Sequence, residues 1–233
     1  MKNEEMLKRL GSRFLNNSEI QQNQKSSKNS LDSFKSGTTT VALACKDAVI
    51  LGTDKRASMA YFVASKTSKK LHRIQDHLWM TIAGSVADAQ YLVDIIRAET
   101  SLYQLEREKP ILVKSAAKVL SNILFNNKLF PYEVGLILGG VTEEEGPTIF
   151  NVGALGSLLP EKYCAVGSGQ NYSYGILESK FKDDLSIDEG KEIITAAVRS
   201  SIIRDIASGN GIEYVVVKES GPAEKEFISI KEK

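Results

Sequence analysis

Four strand-like runs stand in succession between residues 38 and 84, before any stretch of helical periodicity. "TTTVALAC" and "AVILGTD" meet at Lys46-Asp47, and "KKLHRI" and "HLWMTIAG" meet at Gln75-Asp76. The runs are rich in apolar and β-branched residues and the junctions are short and polar, as successive antiparallel strands require. Two helices follow. Ser85 with Asp88 resembles a capping box, and Val86, Ala89, Leu92, Val93 and Ile96 recur at helical spacing toward residue 108. Pro110 suits the first turn of a second helix reaching about Lys128, with Ile111, Ala116, Val119, Leu120 and Ile123 on its apolar side.

The pattern then returns. "YEVGLILGGV" and "TIFNVGALG" read as a hairpin around "TEEEGP", "YCAVGSG" holds a shorter strand, and helices are expected at about 171–181 and 187–207. Ser186 and Glu189 cap the last helix, and its stripe is Ile194, Val198, Ile202 and Ile206. It stops at "SGNG", where Gly209 or Gly211 can take the left-handed conformation that ends helices. Strands around "IEYVVV" and "EFISI" close the chain. Runs of strands followed by runs of helices argue for α+β, and ten or so strands with four helices suggest two stacked sheets with helix pairs outside.

A chain of 233 residues, 42% apolar and 25% charged, fits one large domain or two small ones. Its formal net charge of +1 gives no bulk attraction to nucleic acid or an anionic membrane. No apolar run approaches the roughly 20 residues that a membrane helix needs, and the first residues lack a signal-peptide core, so the expected compartment is the cytoplasm. Cys45 and Cys164 sit far apart inside apolar runs and read as buried, unreactive thiols. Residues 1–37 differ from the rest, with seven basic and four acidic side chains against 23 and 25 beyond. Within this leader, residues 17–30 hold one apolar residue in fourteen and are expected to be disordered. Residues 3–15 can form a short helix on Met6, Leu7, Leu10 and Phe14.

Common site motifs fall away on inspection. His72 and His77 lack an acidic neighbour at metal-ligand spacing, no Cys-x-x-Cys exists, and each histidine reads as a strand residue. "GLILGGV" has Val141 where a phosphate loop needs lysine, and "GSGQNY" has Tyr172 where a dinucleotide fingerprint needs glycine. Both glycine clusters read as turns or close backbone contacts. What remains is the junction "SGTTTV", where the leader meets the first strand at Gly37-Thr38. Three threonines can simply start a strand. A cut before Thr38, however, yields a hydroxyl and a free α-amine on one residue, and an amine of pKa roughly 7.7–8.0 can serve as that hydroxyl's base near neutrality.

From Thr38 to about residue 220 the chain resembles proteasome core-particle β subunits of the archaeal kind. The resemblance rests on "GTTTV", "KDAVILGTDKRAS", "KKLHRI", "MTIAG", "DAQYLV", "GSG" at 167–169, "YGILE" and "RDIASGNGI", in order over about 180 residues. It implies the four-layer αββα sandwich of N-terminal nucleophile hydrolases: two stacked, mainly antiparallel sheets flanked by helix pairs. It further implies residues 1–37 as a propeptide removed by autocleavage between Gly37 and Thr38, and residues 38–233 as one catalytic domain with threonine endopeptidase activity. The implied partners are proteasome α subunits and other β subunits in stacked heptameric rings, a regulatory unfoldase ATPase reached through the α ring, and unfolded polypeptide substrates. No cofactor, metal, nucleic acid or membrane is implied.

Carried over by position, Thr38 matches the family's nucleophile, and Asp54 and Lys70 match its acidic partner and lysine. Lys70 also reads as part of the basic run "SKTSKK", but its place directly before "LHRI" favours burial. Ser168, Asp205 and Ser208 match the residues that hold the threonine and its amine. Ser168 alone is a turn serine, and Asp205 is an acid at a helix C-terminus, where the dipole disfavours it. Gly84 matches the oxyanion-hole amide, or is only a break between strand and helix. Ala57, His72, Ile82 and Val86 match the pocket lining, which implies a weak preference for cutting after apolar residues. Ala42, Ile206 and Asn210 depart from the "TTTVG" and "RDxASGG" patterns without removing a catalytic group. The alternatives are a non-catalytic structural β subunit, which commonly lacks the threonine, the lysine or the junction glycine, and the simpler bacterial relative, disfavoured by the full-length match.

Overall fold

The computed structural model describes residues 37–219 and 221–230. The helix expected over residues 3–15 and the disorder expected over 17–30 lie outside the described residues. The described chain runs β1 (Thr39–Ala44), β2 (Ala48–Asp54), β3 (Ala57–Met59), β4 (Phe62–Ser65), β5 (Leu71–Gln75), β6 (Leu78–Gly84), α1 (Val86–Arg107) and α2 (Val113–Asn126). It continues through β7 (Val134–Thr142), β8 (Gly146–Gly153), β9 (Leu158–Glu161), β10 (Tyr163–Gly167), α3 (Gln170–Lys180), α4 (Ile187–Arg204), β11 (Ile212–Lys218) and β12 (Glu224–Ile228).

Two five-stranded antiparallel sheets, ordered β10-β1-β2-β11-β12 and β5-β6-β7-β8-β9, form the centre. Three apolar clusters separate four layers. Leu92, Ile96, Leu120 and Leu124 of α1 and α2 pack on Met80, Leu136 and Leu138 of one sheet. Leu177, Ile194 and Val198 of α3 and α4 pack on Val41, Leu43 and Ile50 of the other. Ala42, Val49, Leu51, Trp79, Ile137 and Val215 fill the space between the sheets. This is the expected αββα sandwich. Strand β2 is buried at all seven positions because Ile50 faces the helices while Val49 and Leu51 face the opposite sheet. A strand covered on both sides has no polar face to alternate with its apolar one.

Several local expectations need correction. Strands β3, β4 and β9 were not anticipated; at three or four residues they are too short to carry an alternating pattern. The Ser85 hydroxyl accepts the Asp88 N–H at 3.4 Å, but the Asp88 carboxylate turns instead to the Glu133 N–H at 3.0 Å, so the box is only half made. Pro110 lies outside α2, which starts at Val113. A distant carboxylate replaces it: Glu145 accepts the Val113 and Lys114 N–H groups at 2.7 and 3.3 Å, where a negative charge suits the helix dipole. The box at Ser186 and Glu189 is complete.

Helix α4 ends at Arg204, before "SGNG", so Ile206 is 75% exposed and leaves the stripe. Positive φ falls at Asn210 (63°) and Gly211 (112°), in the turn into β11 rather than at the helix end. His72 lies in β5, whereas His77 is a turn residue whose ring bonds the Ile111 carbonyl at 2.9 Å. The glycines of "GLILGGV" lie within β7 rather than in a turn, and Gly140 makes the close backbone contact expected as the alternative, since a Cβ there would overlap the His77 carbonyl. Both cysteines are buried and free, and burial pushes the Cys45 thiol up to about 11 and that of Cys164 higher still. No helix among the described residues is long and apolar enough to cross a membrane.

Antiparallel pairing brings alternate strand termini to one end of the sandwich. The start of β1 lies beside the ends of β10 and β2, with Thr39 opposite Gly167 and Thr40 opposite Thr53. The end of β2 lies beside the start of β11, with Asp54 opposite Ile212. Residues scattered along the sequence therefore meet there.

Candidate active site

Asp54, the last residue of β2, is fully buried and is the hub of this end. Its Oδ1 accepts the Thr39 N–H at 2.9 Å and the Lys70 ammonium at 2.6 Å. Its Oδ2 accepts the N–H groups of Arg56 at 3.0 Å and Gly209 at 2.9 Å. Three backbone donors and one ammonium compensate a carboxylate that could not otherwise be buried ionised. Lys70 is 3% exposed, and its ammonium also donates to the Arg56 carbonyl. Burial lowers the pKa of Lys70, against the attraction and hydrogen bond of Asp54, which favour the ammonium. Because Oδ1 serves both Thr39 and Lys70, the ammonium is held against the first residues of β1.

A second network starts at Thr38. Its N–H donates to the Ser168 hydroxyl at 3.1 Å, and that hydroxyl donates to Asp205 Oδ2 at 2.6 Å. The Ser208 hydroxyl donates to the same oxygen at 2.6 Å and lies 2.7 Å from the Thr39 hydroxyl. With its proton committed to Asp205, Ser208 accepts from Thr39. Asp205 caps α4 in an extended conformation, and its Oδ1 takes the Ala207 N–H at 3.2 Å. Three local donors thus offset the unfavourable helix-end position expected for this acid. The Thr38 hydroxyl donates to the Gly37 carbonyl at 2.7 Å, folded back on the peptide bond that precedes it. Gly37 is tightly confined: its N–H donates to the Ser58 hydroxyl at 3.1 Å, and a Cβ built on it would overlap that of Ala207.

Gly84 ends β6 with φ 101°. The Ser85 N–H bonds the Glu133 carbonyl and the Ile82 N–H bonds the Lys70 carbonyl, so odd residues of β6 face β7 and even ones face β5. The Gly84 amide therefore points to the β5 side, one step past the bond that joins Ile82 to Lys70. The same register puts Lys70, His72 and Ile82 on one face of the sheet, and α1 begins beside it with Val86, 42% exposed. Ala57 opens β3. His72 is buried and its ring donates to the Lys69 carbonyl at 3.2 Å; burial lowers its pKa, so the neutral ring persists to below the usual 6.5.

Thr38, Asp54, Lys70, Ser168, Asp205 and Ser208 thus converge through shared partners. Four contributors were not read from the sequence: Arg56, Ser58, the Thr39 hydroxyl and the Gly209 amide. Nothing in the sequence singles out Arg56, and main-chain donors leave no mark in a residue pattern. The described residues contain no cluster of acidic, histidine or cysteine side chains able to hold a metal ion.

Over residues 34–217 the chain matches the family described as proteasome subunit. It is 44% identical over 191 residues to the proteasome subunit beta of Methanohalophilus mahii, an alignment spanning 82% of this chain and 90% of that protein. Against proteasome subunit beta 2 of Aeropyrum pernix the identity is 43% over 191 residues, spanning 82% and 86%. Against proteasome subunit beta 2 of Nitrosopumilus maritimus it is 40% over 185 residues, spanning 79% and 88%.

Proposed function

The chain belongs to the proteasome β-subunit family, and we propose that it is a catalytic member: a threonine endopeptidase that frees its own nucleophile by cutting between Gly37 and Thr38. The observation that carries this reading is the Thr38 hydroxyl, held 2.7 Å from the Gly37 carbonyl oxygen while the Thr38 nitrogen donates to Ser168. For the self-cut, Thr38 Oγ attacks the Gly37 carbonyl carbon with a water as base. The C–N bond then breaks, the nitrogen takes a proton and becomes the free amine, and Gly37 is left as an ester on Oγ. Water hydrolyses that ester. Residues 1–37 are the propeptide in this reading, and 38–233 the catalytic domain.

In the mature site the Thr38 amine is the base for its own hydroxyl. Lys70, kept charged by Asp54, stabilises the alkoxide, and Ser168, Asp205 and Ser208 orient the amine. The Gly84 amide, turned to the side of Lys70, serves the oxyanion. Ala57, His72, Ile82 and Val86 line a pocket for an apolar side chain. Neutral His72 suits that pocket, and from its lowered pKa the ratio of cleavage after apolar to cleavage after acidic residues is expected to stay constant from about pH 8 to 6.5. Below that range the ring charges and the ratio is expected to fall. A ratio that already falls between pH 8 and 7, measured with paired fluorogenic peptides, removes His72 from the lining.

The working form is a barrel of stacked heptameric rings with α subunits and further β subunits, fed with unfolded polypeptide by an ATPase at the α ring, in the cytoplasm. Co-expression with α subunits tests function and assembly together. Native mass spectrometry is expected to show a barrel, and N-terminal sequencing of its β chain to read Thr-Thr-Thr-Val. Only monomers, or a mature chain starting elsewhere, would overturn the reading.

A further inference from the structure

The two networks meet at one residue. The main chain of Arg56 belongs to the Asp54–Lys70 half: its N–H holds Asp54 Oδ2 at 3.0 Å and its carbonyl receives the Lys70 ammonium. Its side chain reaches the turn after α4, where Nε donates to Asn210 Oδ1 at 2.9 Å and an Nη donates to the Ile206 carbonyl at 3.0 Å. Between these bonds the guanidinium lies over Gly209, where any Cβ would overlap it. That turn carries Ser208 and, just before Ile206, Asp205. Main-chain bonds run alongside, from Gly209 N–H to Asp54 at 2.9 Å and from Lys55 N–H to the Gly209 carbonyl at 3.0 Å.

We infer that Arg56 and Asn210 are positioning residues whose side chains clamp the turn bearing Asp205 and Ser208 onto the strand end bearing Asp54, setting the separation of the two halves of the site. The inference rests on the reading of Thr38 as nucleophile. It also gives a role to the departure from the "RDxASGG" pattern at Asn210, whose side chain is the acceptor, whereas position 206 supplies a main-chain carbonyl that any residue offers. Asn210 has φ 63°, a region asparagine tolerates better than most residues while still offering an acceptor. A lysine cannot stand in for Arg56, because the two bonds leave a rigid planar fork in different directions.

Particles assembled with α subunits and carrying Arg56→Lys, Asn210→Gly or Asn210→Asp are to be compared with wild type and Thr38→Ala. The readouts are steady-state turnover of a fluorogenic peptide with an apolar residue at the cut, and hydrogen exchange over residues 204–211. Glycine at 210 accepts the same positive φ and removes the side chain that carries the acceptor; aspartate keeps an acceptor of the same shape. Arg56→Lys and Asn210→Gly are expected to lower kcat about tenfold or more with KM within about twofold, since small misplacements of catalytic groups are costly. Both should speed exchange at Ser208 and Gly209, and Asn210→Asp should recover most of the loss. Wild-type kcat and exchange in Asn210→Gly overturn the clamp, and this variant decides if Arg56→Lys fails to assemble. Activity in Thr38→Ala would instead overturn the parent reading, and the exchange comparison would still decide the clamp.

Discussion

Assembled particles carrying Lys70→Ala are expected to lose peptidase activity by about a hundredfold to a thousandfold, the scale on which removal of a preorganised charge-stabilising donor is felt. The loss should fall on kcat, because the ammonium serves the alkoxide that forms during reaction and not the bound ground state. The fold is expected to survive. Stripping one partner from a buried ion pair can cost about 3–5 kcal/mol, but Asp54 retains the N–H groups of Thr39, Arg56 and Gly209. Asp54→Asn should be crippled too, by a different route: the amide is neutral, so burial acts on Lys70 with only the weaker attraction of Asp205 against it and favours the uncharged form. Circular dichroism and native mass establish assembly, and peptide turnover reads the effect. Full activity in assembled Lys70→Ala particles would exclude the proposed site.

Thr38→Ala should remove both activities. Without the hydroxyl there is no attack on Gly37, so the leader stays or is lost only to trimming by active neighbours. Any chain trimmed back to residue 38 still has an amine with nothing to activate. N-terminal sequencing and peptide turnover on the same particles separate these effects. A peptidase-active Thr38→Ala particle, with wild-type chains excluded by mass, would move the nucleophile elsewhere. In the proposed mechanism, substrate hydrolysis and maturation share one oxygen. Before the cut the Thr38 nitrogen is an amide without base strength, so the uncut chain is expected to be inert toward other peptides.

The layer order was readable because each main element is long enough for its periodicity to show and each junction is polar. Strands of three or four residues, such as β3 and β9, carry no such signal. The start of α2 was misplaced because its cap, Glu145, is 32 residues away from Val113. The end of α4 was misplaced because a competing side-chain network at Asp205 stops the helix before the glycines are reached. At the site, Thr38 stood out by its place at the Gly37-Thr38 junction, Asp54 and Lys70 by resemblance, and the burial of Lys70 by its place before an apolar run. Arg56 did not, since nothing in "TDKRAS" distinguishes a guanidinium aimed across a turn from one aimed at water.

The distance along the chain between the two halves of the site has a consequence for the order of synthesis. Thr39 and Ser208 are 169 residues apart, and Asp54 and Gly209 are 155 apart. Translation at roughly 5–20 residues per second delivers the second partner about 10–30 s after the first. Through that interval β2 lacks β11 along one edge, and Asp54 lacks a donor. A growing chain on the ribosome thus carries Thr38, the proposed nucleophile, without the groups that would orient it. On the proposed reading, competence to cut arrives only when nearly the whole domain has emerged, so chain length itself acts as the timer that keeps a half-made protease silent.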